Sequence, residues 1–152
     1  MRLTKYNLIK EDGRPTLLKE KATNYEETCL SSPEKIVDMF NSVFNANKMA
    51  EEHVWLLAFN TKFKPLGVFE ISHGTVNLTL ISPREIFIRL LLCGASKFVV
   101  AHCHPSGNTE PSKEDIKMTV QIQAAAKLIN VELVDHIIIG DDFFSFKQND
   151  LL

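Results

Sequence analysis

Two histidines, a serine and an aspartate follow one another near the middle of the chain, in a spacing that suits metal chemistry. His102 and His104 stand two residues apart at the end of a short apolar run. Because side chains alternate across a strand, both imidazoles are expected on one face and Cys103 on the other. Ser112 and Asp115 fall at the start of the next predicted helix. Two imidazoles and a carboxylate form an N/N/O donor set, and three protein ligands leave a tetrahedral Zn²⁺ one open position.

Glu70 is a carboxylate among apolar neighbours in a predicted strand. Apolar runs at 53–59 and 66–72 flank a polar turn, which predicts a β-hairpin, and the first run suits a central strand covered on both faces. Burying an unpaired carboxylate is costly, so Glu70 needs a partner or a water-filled cavity. The alternative is an edge strand with Glu70 facing water.

Two serine–proline pairs mark the starts of further helices. Ser32 and Ser82 suit the N-cap position, with proline at the first helical position and an acid in the first turn. Glu85 also predicts a capping box with Ser82. The runs 131–139 and 143–146 indicate two last strands. Interleaved helices and strands with hairpin and crossover connections predict an α/β (α+β) fold, a mixed β-sheet flanked by helices in three layers.

The first 31 residues are polar and are predicted to form an amino-terminal arm, separate from a domain over residues 32–152. Short apolar groups at 6–9 and 16–18 suit one or two edge strands, or the arm packs loosely. Residues 1–21 contain six Lys/Arg and three Asp/Glu, whereas the remainder contains eleven and sixteen. A basic arm suits contacts with phosphates, although a solvated tail explains the same charges.

The overall composition is that of one ordinary globular domain. The chain has 152 residues, 45% of them hydrophobic, and a formal net charge of −2, which gives no general case for nucleic-acid binding. No apolar run approaches the roughly 20 residues of a membrane span, so no membrane contact is expected. Three cysteines without disulfide-type spacing predict a reducing compartment, and we expect a cytoplasmic protein.

The pattern H-x-H-P-x6-S-x2-D over 102–115, with Glu70 upstream, resembles the JAMM motif of JAB/MPN-domain metallopeptidases. The surrounding phrases are similar to those of the RadC-type branch: SPREIF at 82–87, HCHPSG at 102–107 and DHIIIG at 135–140. The resemblance covers about residues 32–147 and implies a JAB/MPN-like fold. RadC-type chains typically carry Asn where this chain has Cys103.

Carried over position by position, the resemblance implies that His102, His104 and Asp115 bind one Zn²⁺. Glu70 would hold the zinc-bound water and act as general base, and Ser112 would steady the oxyanion. The implied function is a zinc-dependent hydrolase in which zinc-bound water attacks an amide or isopeptide bond of a protein or peptide-like substrate.

A second function of a different class is also implied by the RadC resemblance, a DNA-repair or mobile-element accessory protein that acts by binding and holds a structural metal. The acidic remainder of the chain argues against broad DNA contact. A zinc deaminase is excluded, because the chain lacks H-x-E followed by P-C-x-x-C.

Some of the same residues also have structural interpretations. Ser112 and Asp115 suit an ordinary helix N-terminus, and capping is compatible with ligation. His136, beside Asp135 in an apolar run, is interpreted as a hydrogen-bonded structural histidine, with an outer-shell metal role as the alternative. His73 is interpreted as a turn residue.

Overall fold

The computed structural model describes residues 1–27, 29–74 and 81–152. Within them, three α-helices pack on one mixed seven-stranded sheet, which confirms the predicted three-layer α+β fold. No helix in these stretches combines the length and apolarity needed to cross a bilayer. The elements are β1 (Arg2–Glu11), β2 (Arg14–Asn24), α1 (Pro33–Phe44), a 3₁₀ turn (Ala46–Lys48), β3 (Glu52–Phe59), β4 (Pro65–Gly74), α2 (Pro83–Leu92), β5 (Lys97–Cys103), α3 (Lys113–Ile129), β6 (Glu132–Ile139) and β7 (Phe143–Ser145).

The order of strands in the sheet is β2-β1-β4-β3-β5-β6-β7. The pairs β1–β4 and β5–β6 are parallel, and the other neighbours are antiparallel. β3 and β5 therefore lie side by side at the centre of the sheet, with nearly every side chain buried. This is the position predicted for the run 53–59, because only a strand covered on both faces can be apolar at successive positions.

The sheet separates two apolar clusters. One contains α1 together with residues such as Trp55 and Val99, and the other contains α2 and α3 together with residues such as Val54 and Phe98. Successive residues of β3 and β5 thus point alternately to α1 and to the α2/α3 pair. We call these the α1 face and the α3 face of the sheet.

The predicted helix starts are confirmed, with one change in capping. Ser32 caps α1 and Ser82 caps α2. The Ser82 hydroxyl accepts a hydrogen bond from Arg84 N at 3.2 Å, not from Glu85 N. The capping box predicted there is wrong, because the Glu85 carboxylate instead contacts Arg84 and Arg89.

The amino-terminal segment forms a long antiparallel hairpin, of which β2 is an edge strand of the sheet. Asp12 and Gly13, both with positive φ, make its two-residue turn. Such a turn matches the right-handed twist of the flanking strands, and the Asp-Gly pair is typical of it. Of the two alternatives for this segment, strands rather than loose packing are therefore observed, and they are longer than the runs 6–9 and 16–18.

Glu70 lies in β4, which has a neighbour on each side, so the alternative of an edge strand is wrong. Its carboxylate receives hydrogen bonds from Lys5 Nζ at 2.9 Å and is 2.8 Å from His53 Nδ1. These contacts provide the partner that a half-buried carboxylate requires. The Lys5–Glu70 pair also ties the amino-terminal hairpin to β4.

His73 is part of β4 and pairs with His53 across the hairpin, so its interpretation as a turn residue is wrong. The two imidazoles stack with ring centroids 5.6 Å apart, and His73 Nδ1 is 3.6 Å from the Glu70 carboxylate. The strand continues to Gly74 because its pairing with β3 continues to that residue.

Replacing Glu70 by Gln should lower the free energy of unfolding by about 1 kcal/mol at neutral pH, because a charge-assisted contact is lost. Partial burial raises the pKa of Glu70, but hydrogen bonds from Lys5 and His53 outweigh it and leave the pKa below its usual value. A carboxyl group with a depressed folded-state pKa stabilises the fold above its unfolded pKa, about 4.3, and this contribution is lost as the pH falls through the folded value.

Urea unfolding of wild type and Glu70→Gln at about pH 7 and about pH 3 measures this effect. The difference between the two proteins should shrink at the lower pH. Glu20→Gln is the matched control, because Glu20 also contacts Lys5 but is more exposed, and its effect should be smaller. An equal difference at both pH values would contradict the assignment.

Candidate metal centre

The three predicted metal ligands meet where β5 ends and α3 begins. His102 is the penultimate residue of β5, His104 follows the strand, and Asp115 is the third residue of α3. One ligand atom of each residue lies within 4.8 Å of the ligand atoms of the other two. His102 and Asp115 are fully buried, and His104 is partly exposed. The structure therefore brings all three side chains to one point.

The backbone of β5 explains why the two histidines share a face. His104 N donates to Ile139 O at 2.8 Å, which extends the pairing of β5 with β6 one residue beyond the strand. Cys103 points to the α1 face as predicted, where its sulfur accepts a hydrogen bond from His53 N at 3.3 Å. Burial raises the pKa of the Cys103 thiol and favours its protonated form, and its place on the α1 face separates it from the ligand set.

Asp115 is oriented by the N-terminus of its own helix. Ser112 N and Ser112 Oγ each donate to Asp115 Oδ2 at 2.7 Å, and Asp115 N donates to Ser112 Oγ at 3.1 Å. This reciprocal capping box confirms the predicted helix N-terminus, and it leaves Asp115 among the candidate ligands. Burial raises the pKa of Asp115, whereas the hydrogen bonds that its carboxylate accepts from Ser112 lower the pKa and favour the ionised form.

The other carboxylate oxygen of Asp115 is left free to act as a ligand. Asp115 Oδ1 is buried and accepts no hydrogen bond from any residue that the structure describes. It lies 3.3 Å from His102 Nε2. A buried carboxylate oxygen without a partner is costly, so this atom indicates a missing positive group.

The protonation of His104 follows from its hydrogen bond to the loop. His104 Nδ1 is 2.7 Å from the backbone oxygen of Asn108, which can only accept. The proton therefore resides on Nδ1, and Nε2 carries a lone pair. That lone pair points into the space between His102 and Asp115, because His104 Nε2 is 3.0 Å from His102 Nε2.

The protonation of His102 follows from a buried chain of three side chains. The Thr119 hydroxyl donates its single proton to Asp115 O at 2.7 Å, so it must accept from His136 Nδ1 at 2.6 Å. His136 Nε2 is then the acceptor for His102 Nδ1 at 2.8 Å. His102 Nε2 consequently also carries a lone pair. Burial lowers the pKa of both imidazoles, which favours the neutral forms that this chain requires.

Two nitrogen lone pairs and one carboxylate oxygen thus converge with no donor among them. Such an arrangement is repulsive until a cation occupies the centre, and neutral imidazoles with an ionised carboxylate are the forms that bind metals. Imidazole and carboxylate ligands suit Zn²⁺ and other first-row divalent ions. The residues present therefore fit a zinc ion.

Residues 30–151 match the profile of the RadC-like JAB domain. The chain belongs to this family. The match covers α1 and everything that follows it, including all three ligands of the candidate centre. The resemblance identified from the motif spacing is confirmed.

Curated relatives of this RadC-like domain are named UPF0758 proteins. The chain is similar to those of Clostridium acetobutylicum, with 33% identity over 131 residues, and Rubrobacter xylanophilus, with 34% over 131 residues. These alignments cover 85% and 86% of this chain but 56% and 57% of the relatives. A UPF0758 protein of Clostridium tetani is 38% identical over 68% of this chain and 46% of its own length. The chain spans about half the length of the curated relatives it matches.

The structure does not bring Glu70 to the three ligands. Glu70 pairs with Trp55 of β3, whereas His102 pairs with Val54, the residue just before Trp55 in the same strand. Directly opposed residues share a face of a sheet, so Glu70 lies on the α1 face and His102 on the α3 face. The contact of Glu70 with His53, whose ring stacks on Trp55, places it there independently.

Glu52 is the carboxylate that shares the face of the ligands. It is the first residue of β3 and precedes Val54 by two positions, so its side chain is directed to the α3 face. Since Val54 pairs with His102, the antiparallel register directs Glu52 towards His104. Burial lowers the pKa of His102, and the negative charges of Asp115 and Glu52 oppose this shift. The register thus places Glu52 at the end of β3 that lies beside the candidate ligands.

Sequence reasoning missed Glu52 for a physical reason. The run that begins at His53 is apolar on both faces, so its composition does not tell which positions face α3. The sequence did contain a signal. If β3 and β5 are paired as antiparallel neighbours with Val54 opposite His102, Glu52 falls opposite His104. Thr119 was missed as well, and of the two interpretations of His136, its contact with His102 favours the outer-shell one.

The loop after His104 is held against the end of β6 by two glycines. Gly107 N donates to His104 O at 3.0 Å, and Asp141 N donates to Gly107 O at 3.0 Å. A Cβ on Gly140 would lie 2.3 Å from Gly107 O, so only glycine permits this approach. The contact fixes the turn that directs His104 towards Asp115.

Replacing Gly140 by Ala should displace this turn, lower the free energy of unfolding by about 1–3 kcal/mol and weaken zinc binding. Gly94→Ala is the control, because Gly94 has φ +68° but a Cβ there would meet nothing within 4 Å. It should cost stability through backbone strain alone and leave zinc affinity unchanged. Thermal unfolding and zinc titration of both variants separate the two effects. Unchanged zinc binding in Gly140→Ala would show that the contact does not position His104.

Proposed function

We propose that this domain is a zinc-dependent hydrolase of amide or isopeptide bonds in protein or peptide-like substrates. The observation that carries the proposal is the convergence of His102 Nε2, His104 Nε2 and Asp115 Oδ1. Three protein ligands with a free fourth position are typical of catalytic zinc sites, whereas structural sites are usually closed by four. When bound, zinc would supply Lewis-acid activation of water at neutral pH.

Glu52 is the general base in this proposal, in place of the Glu70 predicted from the resemblance. Its carboxylate would accept a proton from the attacking water as the new carbon–oxygen bond forms, and would pass that proton to the departing amine nitrogen as the carbon–nitrogen bond breaks. The support is its position on the α3 face beside His102 and His104.

Ser112 orients the carboxylate of Asp115. Its hydroxyl donates to Asp115 Oδ2 and thereby leaves Oδ1 free for the metal. The predicted role in steadying the oxyanion stays a prediction, and it requires the hydroxyl to turn from Asp115 to the substrate.

Metal analysis and cleavage assays of three variants test the proposal. Wild type, Glu52→Gln and Glu70→Gln should each hold about one zinc ion, while His104→Ala should lose most of it. On a library of fluorogenic peptides and isopeptides, Glu52→Gln should lose about 10²–10⁴-fold of the activity. Glu70→Gln, which has the same chemical change on the opposite face, should cleave at close to the wild-type rate.

A second readout does not depend on finding the substrate. In the cobalt-substituted protein, the visible absorption spectrum should change with pH. The midpoint of this change should shift in Glu52→Gln and remain unchanged in Glu70→Gln. Zinc retained by His104→Ala would overturn the metal assignment. A loss of activity or a spectral shift in Glu70→Gln alone would overturn the choice of base.

A second candidate function is DNA binding by the amino-terminal hairpin, in the accessory role that the RadC resemblance implies. Five basic side chains of this hairpin are exposed: Arg2, Lys10, Arg14, Lys19 and Lys21. Because β1 pairs with β4, deleting the hairpin would damage the sheet, so the charges should be replaced instead. A salt-dependent DNA affinity lost in a Lys10→Gln, Arg14→Gln, Lys19→Gln, Lys21→Gln variant would favour this function.

A further inference from the structure

A closed ring of contacts joins two of the candidate ligands, His102 and Asp115, and begins and ends on Asp115. The backbone oxygen of Asp115 accepts from Thr119, which accepts from His136, which accepts from His102. The side-chain oxygen of Asp115 then faces His102 again at 3.3 Å. His102, Asp115, Thr119 and His136 are all buried, so water does not substitute for any of these contacts.

The position of the His136 ring is set by packing rather than by a hydrogen bond to a carboxylate. The ring stacks on Phe146, with centroids 4.6 Å apart and planes 13° from parallel. The neighbouring Asp135 carboxylate is engaged elsewhere, with Ser145 Oγ, Lys147 N and the backbone nitrogen of His136. Packing therefore fixes where the ring lies but does not decide which of its nitrogens carries the proton.

Thr119 makes that decision. Its hydroxyl has one proton, and Asp115 O can only accept, so the hydroxyl presents a lone pair to His136 Nδ1. Without this acceptor, His136 can carry its proton on Nε2, which faces His102 Nδ1. His102 would then become the acceptor at Nδ1 and would carry its own proton on Nε2, the atom that must bind the metal.

We propose that Thr119 and His136 are positioning residues that hold His102 in its metal-binding tautomer, so that the hydroxyl of Thr119 sets the zinc affinity of the site. This inference rests on the metal centre of the proposed function, but it does not depend on which bond is cleaved or on which carboxylate is the base. Neither residue touches the metal position in this scheme. Each acts only through His102.

Thr119→Val tests the proposal, because valine has the shape of threonine and lacks the hydroxyl. Zinc affinity, measured by competition with a chromophoric chelator, should fall by about 10–100-fold, the usual effect of removing an outer-shell partner. Thr119→Ser keeps the hydroxyl and should restore affinity close to wild type. Thr23→Val is the control, because it makes the same change in β2, an edge strand that three other strands separate from β5. It should leave the zinc affinity unchanged.

Imidazole nitrogen chemical shifts of the metal-free proteins give a readout that a merely structural role would not move. In wild type, His102 and His136 should both be protonated on Nδ1, whereas in Thr119→Val a population protonated on Nε2 should appear. Thr119→Ala is a second variant without the hydroxyl, for use if valine impairs folding, and it should show the same change. Wild-type affinity together with wild-type tautomers in either folded variant would overturn the proposal.

The outcomes also separate this inference from the proposed function. If wild type binds zinc and cleaves no amide, the hydrolase proposal fails while the affinity series still tests Thr119. If wild type binds no zinc, the metal centre fails, and the nitrogen shifts still show whether Thr119 controls the tautomer of His102. A loss of zinc affinity in Thr119→Ser equal to that in Thr119→Val would overturn the role of the hydroxyl.

Discussion

The structure depends on holding three electron-pair donors against one another at a buried point. His102 Nε2 and His104 Nε2 are 3.0 Å apart, and an unpartnered oxygen of Asp115 lies beside them. Without a cation, this arrangement costs free energy, since His102 Nε2 and Asp115 Oδ1 are buried from water and face no hydrogen-bond donor. A fold retains such an arrangement only where surrounding contacts prevent it from relaxing.

Those surrounding contacts come from rigid elements. β5 lies between β3 and β6, with apolar clusters on both faces, so His102 cannot withdraw from the centre. Asp115 is fixed by the capping box of α3, and His104 by the glycine contact between two loops. The ligands thus come from one strand end and one helix start, which makes their separation insensitive to movement elsewhere in the chain.

Local features of the fold were predictable from the sequence, whereas long-range placement was not. Ser32, Ser82 and Ser112 mark three helix starts because capping depends on residues within one turn. The alternation of His102, Cys103 and His104 follows from strand geometry alone. The Asp12–Gly13 turn was also a readable hairpin signal, but it does not reveal that β1 would pair with β4.

The assignment of the acid shows where pattern reasoning reaches its limit. Glu70 and Glu52 both lie in the central hairpin, but a bulge and the alternation of the strands send them to opposite faces of the sheet. The surroundings of Glu70 also stabilise its charge. Partial burial raises the pKa of Glu70, but the hydrogen bonds from Lys5 and His53 lower it by more, so the net pKa is below its usual value. A carboxylate stabilised in its ionised form is a poor proton acceptor at neutral pH. The register of the sheet therefore places the two acids on opposite faces, with Glu70 in an ion pair that anchors the amino-terminal hairpin and Glu52 on the face of the candidate metal ligands.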